Sequence, residues 1–78
     1  MPHVSIKMVK GRSDAQKDAV AVAVQEALMK ALGAPAAYVS VSVEDYSPQE
    51  WQDVFKTEIT DKPDALRIAP QYDPKGLV

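Results

Sequence analysis

His3-Val4-Ser5-Ile6-Lys7-Met8-Val9 runs directly into Lys10-Gly11-Arg12-Ser13-Asp14-Ala15-Gln16, and the junction between the two decides the fold. In the first segment Val4, Ile6 and Met8 face one way and His3, Ser5 and Lys7 the other, the period of a half-buried strand. Lys10-Gly11-Arg12 breaks the alternation. Ser13 with Gln16 three residues on is a capping box: the Ser13 hydroxyl accepts from the third helical N–H while Gln16 reaches back. The spacing predicts a helix over 14–32, with Val20, Ala23, Val24, Ala27, Leu28, Ala31 and Leu32 on its apolar stripe, widened by Ala19 and Val22. Gly33 is placed as its C-terminal cap, and Pro35 prevents continuation.

Downstream, Val39, Val41 and Val43 alternate with Ser40, Ser42 and Glu44, predicting a second strand over 39–43. Ser47-Pro48-Gln49-Glu50 is a second capping box, with proline at the first helical position. It predicts a helix over 48–60 whose buried side holds Trp51, Val54, Phe55 and Ile59. Residues 61–78, punctuated by Pro63, Pro70 and Pro74, read as an irregular arm anchored by Leu66, Ile68 and Tyr72. The chain reads as a single α+β domain over 1–78, β-α-β-α plus the arm. The long helix carries the chain back so that the two strands pair in parallel with a right-handed crossover.

Size adds a constraint. The 78 residues carry a net charge of −2, with 46 % apolar and 26 % charged residues, an ordinary globular balance. A chain this short buries roughly 60 % of its unfolded surface, so its core is marginal. There is no cysteine to form a disulfide and a single histidine, with no spacing that suits a structural zinc. A two-stranded parallel sheet is also unstable alone and has open edges. Self-association is the expected remedy, with a four-stranded sheet completed by dimerisation. A pI near 5.2 disfavours nucleic acid as a partner. No apolar run spans a membrane, and the start lacks a signal-peptide layout, which makes the cytoplasm the expected location.

Three residues carry potential chemistry. Pro2 follows the initiator methionine, which is generally removed before a small residue. Removal leaves a secondary amine that works as a base only when neutral, a state favoured by apolar walls or a nearby cation. With Met1 in place the same nitrogen is an amide without basicity, and Met-Pro is also a common start with no meaning. Arg12 suits bidentate capture of a carboxylate, and equally suits a solvated loop where it pairs with Asp14. Trp51 suits the wall of an apolar pocket, and equally a core or interface. Glu50 and Asp53, three apart on a helix, form an acid–base candidate that also fits a helix-dipole role.

Taken in order, Pro2, the strand Val4 to Met8, Gly11-Arg12-Ser13-Asp14 with Gln16-Lys17, Ala34-Pro35, the strand Val39 to Val43 and the aromatic Trp51 resemble the 4-oxalocrotonate tautomerase superfamily. The resemblance covers about residues 2–59. Trp51-Gln52 and the proline-rich tail are similar to its longer, dimeric bacterial members. It implies a cofactor-free and metal-free keto–enol isomerase of small 2-keto or 2-hydroxydienoate acids. Pro2 would be the general base, Arg12 the carboxylate-binding residue and Trp51 the aromatic that keeps the pocket apolar. Ser40 stands where hexameric members carry a second arginine, and Tyr38 is a candidate phenolic donor. The polar outward face of Ser5, Lys7, Ser40, Ser42 and Glu44 favours a dimer over a hexamer. Competing readings are a hydratase, dehalogenase or decarboxylase of the same superfamily, with Glu50 or Asp53 as the acid, and a non-catalytic dimeric binding protein. A ribbon-helix-helix DNA binder is disfavoured by the second strand and the scarcity of basic strand residues.

Overall fold

The computed structural model describes all 78 residues. Strand β1 (His3–Val9) leads to helix α1 (Asp14–Leu32), a 3-10 turn (Ala36–Tyr38), strand β2 (Ser40–Tyr46) and helix α2 (Pro48–Phe55). A π-helical turn (Lys56–Thr60) extends α2, and a 3-10 turn (Pro74–Leu77) closes the chain. Two compact units make up the chain: residues 1–7 with 11–44, and residues 8–10 with 45–78.

In the first unit the strands pair start to start. The Ser40 N–H donates to the Pro2 carbonyl at 3.2 Å. In the second, the Lys10 N–H donates to the Tyr46 carbonyl at 2.8 Å, so the far ends of the same ladder also match. The two-stranded sheet is therefore parallel, with α1 as its crossover. Both α1 caps form as expected. The Ser13 hydroxyl accepts from the Gln16 N–H at 3.1 Å, and the Ser13 N–H donates to Gln16 Oε1 at 2.9 Å. Gly33 adopts φ +68° in the left-handed region and donates its N–H to the Met29 carbonyl. Gln25 Nε2 donates to the Ala36 carbonyl at 3.3 Å, tying α1 to the turn before β2.

The face that α1 turns inward differs from the expected stripe. Val20, Val24 and Leu28 are half-buried, but they share that face with Lys17, Ala21, Gln25 and Met29. Ala19, Val22, Ala23, Ala27, Ala31 and Leu32 are exposed. Alanine and valine encircle this helix, so apolar spacing alone does not fix its rotation. Strand β2 also begins one residue later and ends three later than expected. Val39 is buried just ahead of it, with its N–H donating to the Ala36 carbonyl.

In the second unit α2 starts on the expected capping box, with Ser47 and Glu50 exchanging bonds of 3.1 and 2.7 Å and Pro48 in the first turn. Trp51 and Val54 are buried, and Phe55 and Ile59 half-buried, on the expected side. The span to Thr60 is helical as expected, but its last five residues are π-helical. The Asp61 N–H reaches the Lys56 carbonyl at 2.8 Å, a wider ring than the α-helix closes, and Lys56 Nζ pairs with Asp61 Oδ2 at 2.8 Å. The Thr57 hydroxyl bonds back to the Asp53 carbonyl, which loosens the same turn. In the arm Leu66 is half-buried, whereas Ile68 is 87 % exposed and anchors nothing. No helix is long and apolar enough to cross a membrane.

Because the α1 start rests on one reciprocal pair, Ser13→Ala is expected to destabilise the protein by about 1 kcal/mol. Urea denaturation followed by circular dichroism checks this, and an unchanged midpoint would contradict it.

Candidate active site

Pro2 is half-buried at the head of β1, with its carbonyl held in the ladder by Ser40. The preceding Met1 is 96 % exposed, so its side chain contributes no packing. Ser40 opens β2, and its hydroxyl lies 2.7 Å from His3 Nδ1. His3 Nε2 lies 3.4 Å from the Ser42 hydroxyl. Further along the same sheet face Lys7 Nζ donates to the Ser5 hydroxyl at 2.6 Å and pairs with Glu44 at 3.5 Å. The outward face of the sheet thus carries two polar groups, His3 with Ser40 and Ser42, and Lys7 with Ser5 and Glu44. Tyr38 ends the turn before β2, with 52 % of its surface exposed.

Arg12 follows Gly11, whose φ of +136° is a conformation that favours glycine and turns the chain out of β1. Arg12 is exposed and forms no ion pair; Asp14 pairs with Lys17 instead, at 3.9 Å. A seven-residue strand separates Arg12 from Pro2. At the usual rise this holds the two ends of β1 about 20 Å apart. The structure therefore brings Pro2 and Ser40 together and keeps Arg12 of the same chain away from both.

In the second unit Trp51 is 9 % exposed. Its Nε1–H donates to the Tyr72 hydroxyl at 2.9 Å, and its ring lies 6.4 Å from that of Tyr46 at 57°. Tyr72 packs edge-on against Phe55, with centroids 5.6 Å apart. Gln52 Nε2 donates to the Pro74 carbonyl at 2.8 Å, a second tie between α2 and the arm. The Trp51–Tyr72 pair spans 21 residues and has no local signature. The available hint was chemical, since a buried indole N–H requires an acceptor.

Glu50 is committed to its cap. Hydrogen bonds from the Ser47 N–H and then the Ser47 hydroxyl, with Lys10 nearby, hold its carboxyl below the ordinary value of 4.5. A carboxylate kept ionised in this way is a poor proton donor near neutrality. No group of three or more His, Cys, Asp or Glu side chains is gathered where it could hold a metal ion.

Comparison with known proteins sets this β-α-β frame, with Pro2 at the head of its first strand, among small isomerases. A family model for tautomerase enzymes matches residues 2–53. Tautomerase PptA of Cronobacter sakazakii is 33 % identical over 75 residues, covering 94 % of this chain and 99 % of that protein. The 2-hydroxymuconate tautomerase of Pseudomonas putida is 43 % identical over 51 residues, covering 65 % of this chain and 81 % of that protein. A solved 4-oxalocrotonate tautomerase isozyme from Methylibium petroleiphilum superimposes with a TM-score of 0.61 at 38 % identity, covering 64 % of this chain and 81 % of that one. The chain belongs to the tautomerase family, within the 4-oxalocrotonate tautomerase superfamily, and is an isomerase.

The capping carboxylate carries a pH signature. Its folded-state pKa is lowered, so its contribution to stability is present above 4.5 and lost as pH falls through the folded value. Glu50→Gln keeps the capping geometry without the charge. The variant is expected to be less stable than the parent at pH 7, with the difference vanishing once acid has protonated the Glu50 carboxylate. Thermal denaturation across that range checks this, and a difference that persists in acid would contradict it.

Proposed function

We propose that the protein is a cofactor-free keto–enol tautomerase of small 2-keto or 2-hydroxydienoate acids, with Pro2 as its general base once Met1 is removed. The observation that carries this reading is the position of Pro2: half-buried, at the head of a parallel ladder, after a methionine that packs against nothing. The family match to residues 2–53 begins on the same residue. As a free secondary amine, Pro2 takes the enol O–H proton and returns a proton to carbon. The O–H bond breaks, the carbonyl forms, the double bond shifts and a C–H bond closes the cycle, with no external reactant. Arg12 grips the substrate carboxylate and draws electron density toward it. The indole of Trp51 keeps the surroundings apolar, and together with the guanidinium it favours the neutral amine. Tyr38 and Ser40 supply the remaining polar contacts to substrate. An ionised Glu50 held in its cap is poorly suited to the proton-donor role that the hydratase and dehalogenase alternative would give it.

The site is completed by another copy of the chain. Because β1 separates Arg12 from its own Pro2, the arginine serving each proline belongs to a neighbour. Surface area supports association. The chain exposes 5780 Å², whereas a folded monomer of its mass exposes roughly 4,700 Å². An apolar groove of about 170 Å³, lined by Ala21, Val22, Gln25, Val39 and Val41, offers a surface for the second copy to cover. The hydrogen-bonded polar groups on the outward sheet face disfavour burying that face, which supports a dimer over a hexamer. The cytoplasm is the proposed location.

Native mass spectrometry is expected to give two chains per particle, each lacking one methionine; a retained Met1 would overturn the mechanism. Pro2→Ala is expected to lower kcat/KM for ketonisation of phenylenolpyruvate by about 100-fold or more. Arg12→Ala is expected to lower it by about 10-fold or more. Undiminished activity in Pro2→Ala would refute the assignment of the base.

A further inference from the structure

The sequence contains one tryptophan. Its ring is buried, and a buried indole N–H without a partner is strongly disfavoured. The partner is Tyr72, a residue of the C-terminal arm beyond the span of the family model but within the match to PptA. The tyrosine is 47 % exposed, and its ring rests edge-on against Phe55, one turn along α2 from Trp51. A second bond, from Gln52 Nε2 to the Pro74 carbonyl, holds the arm against the same helix. Tyr46 lies beside the indole. One aromatic neighbour and one directed hydrogen bond together fix both the plane of the ring and the direction of its only polar atom.

We propose that Tyr72 is a positioning residue. By accepting the Trp51 Nε1–H and leaning on Phe55, it lets the arm set the orientation of the indole, so that Trp51 offers its apolar face to the catalytic pocket and keeps its N–H away from it. This rests on the reading of Trp51 as a pocket wall given above. The arm is then a functional part of the isomerase rather than a dispensable extension. Loss of the acceptor frees the indole N–H to seek water, which wets the wall and favours the protonated, inactive form of Pro2.

The test uses the full chain and phenylenolpyruvate. Tyr72→Phe keeps the ring on Phe55 and removes only the acceptor. Because Trp51 is unique, a single indole N–H resonance reports the bond, and it is expected to move upfield in the variant. The kcat/KM is expected to fall about 3- to 10-fold, mainly through kcat, with the acidic limb of the pH profile moved to higher pH. Gln52→Leu, which releases the arm elsewhere, is expected to act in the same direction. In a Trp51→Phe background Tyr72→Phe is expected to add nothing. A moved resonance with unchanged kcat/KM and pH profile would overturn the proposal, as would an equal loss in both backgrounds. Trp51→Phe alone reads the underlying assignment: full activity in that variant would remove Trp51 from the pocket, and the role of Tyr72 with it, even where the resonance confirms the bond.

Discussion

The hydrogen bond from the Ser40 N–H to the Pro2 carbonyl is the first rung of the parallel ladder, and much of the architecture depends on it. Parallel pairing obliges the chain to return to its starting end before β2 begins. The 19-residue helix α1 makes that return, and its capping box and glycine stop bound its length. The same rung fixes the start of the chain to the sheet. Chain termini usually fray; here the second residue is half-buried and part of the hydrogen-bonded frame. In the proposed mechanism that tether would position the Pro2 nitrogen once Met1 is removed, because a base must be held within hydrogen-bond reach of the proton it moves.

The same geometry accounts for the need for a partner. Two strands leave two open edges, only Val39, Trp51 and Val54 are buried, and no large side chain is fully enclosed. Strand β1 also places Pro2 and Arg12 at opposite ends. Under the proposed function, association would answer the marginal core and the separation of Pro2 from Arg12 together, each chain lending its arginine and covering apolar surface on the other. Stability and activity are then coupled, and weakening the interface would weaken both.

Features set by short-range chemistry were legible in the sequence. Ser13 with Gln16, Ser47 with Glu50, and Gly33 each mark a helix end through bonds made within four residues, and all three form. Alternation located both strands and placed His3, Ser40 and Ser42 on one face, where the structure joins them by hydrogen bonds. The rotation of α1 was not legible, because Ala and Val occur all round it and the polar Gln25 is drawn inward by the Ala36 carbonyl. The π-helical turn arises where Thr57 and the Lys56–Asp61 pair divert the backbone bonds, a competition that propensity does not register. The Trp51–Tyr72 bond joins residues 21 apart and leaves no trace in spacing. Among the candidate site residues, Pro2 and Arg12 stood out through their order along the chain. Their separation along β1 follows only once the intervening segment is known to be fully extended.

The account turns on whether the Pro2 nitrogen is a free amine that is partly neutral near physiological pH. A nitrogen-15 NMR titration of the Pro2 amine in the assembled protein measures this directly. The account predicts a titrating secondary amine whose pKa lies well below that of an unhindered prolyl amine, and which rises when Arg12 is replaced by alanine. An amide that does not titrate, or an amine with the pKa of a solvated proline that ignores Arg12, would contradict it.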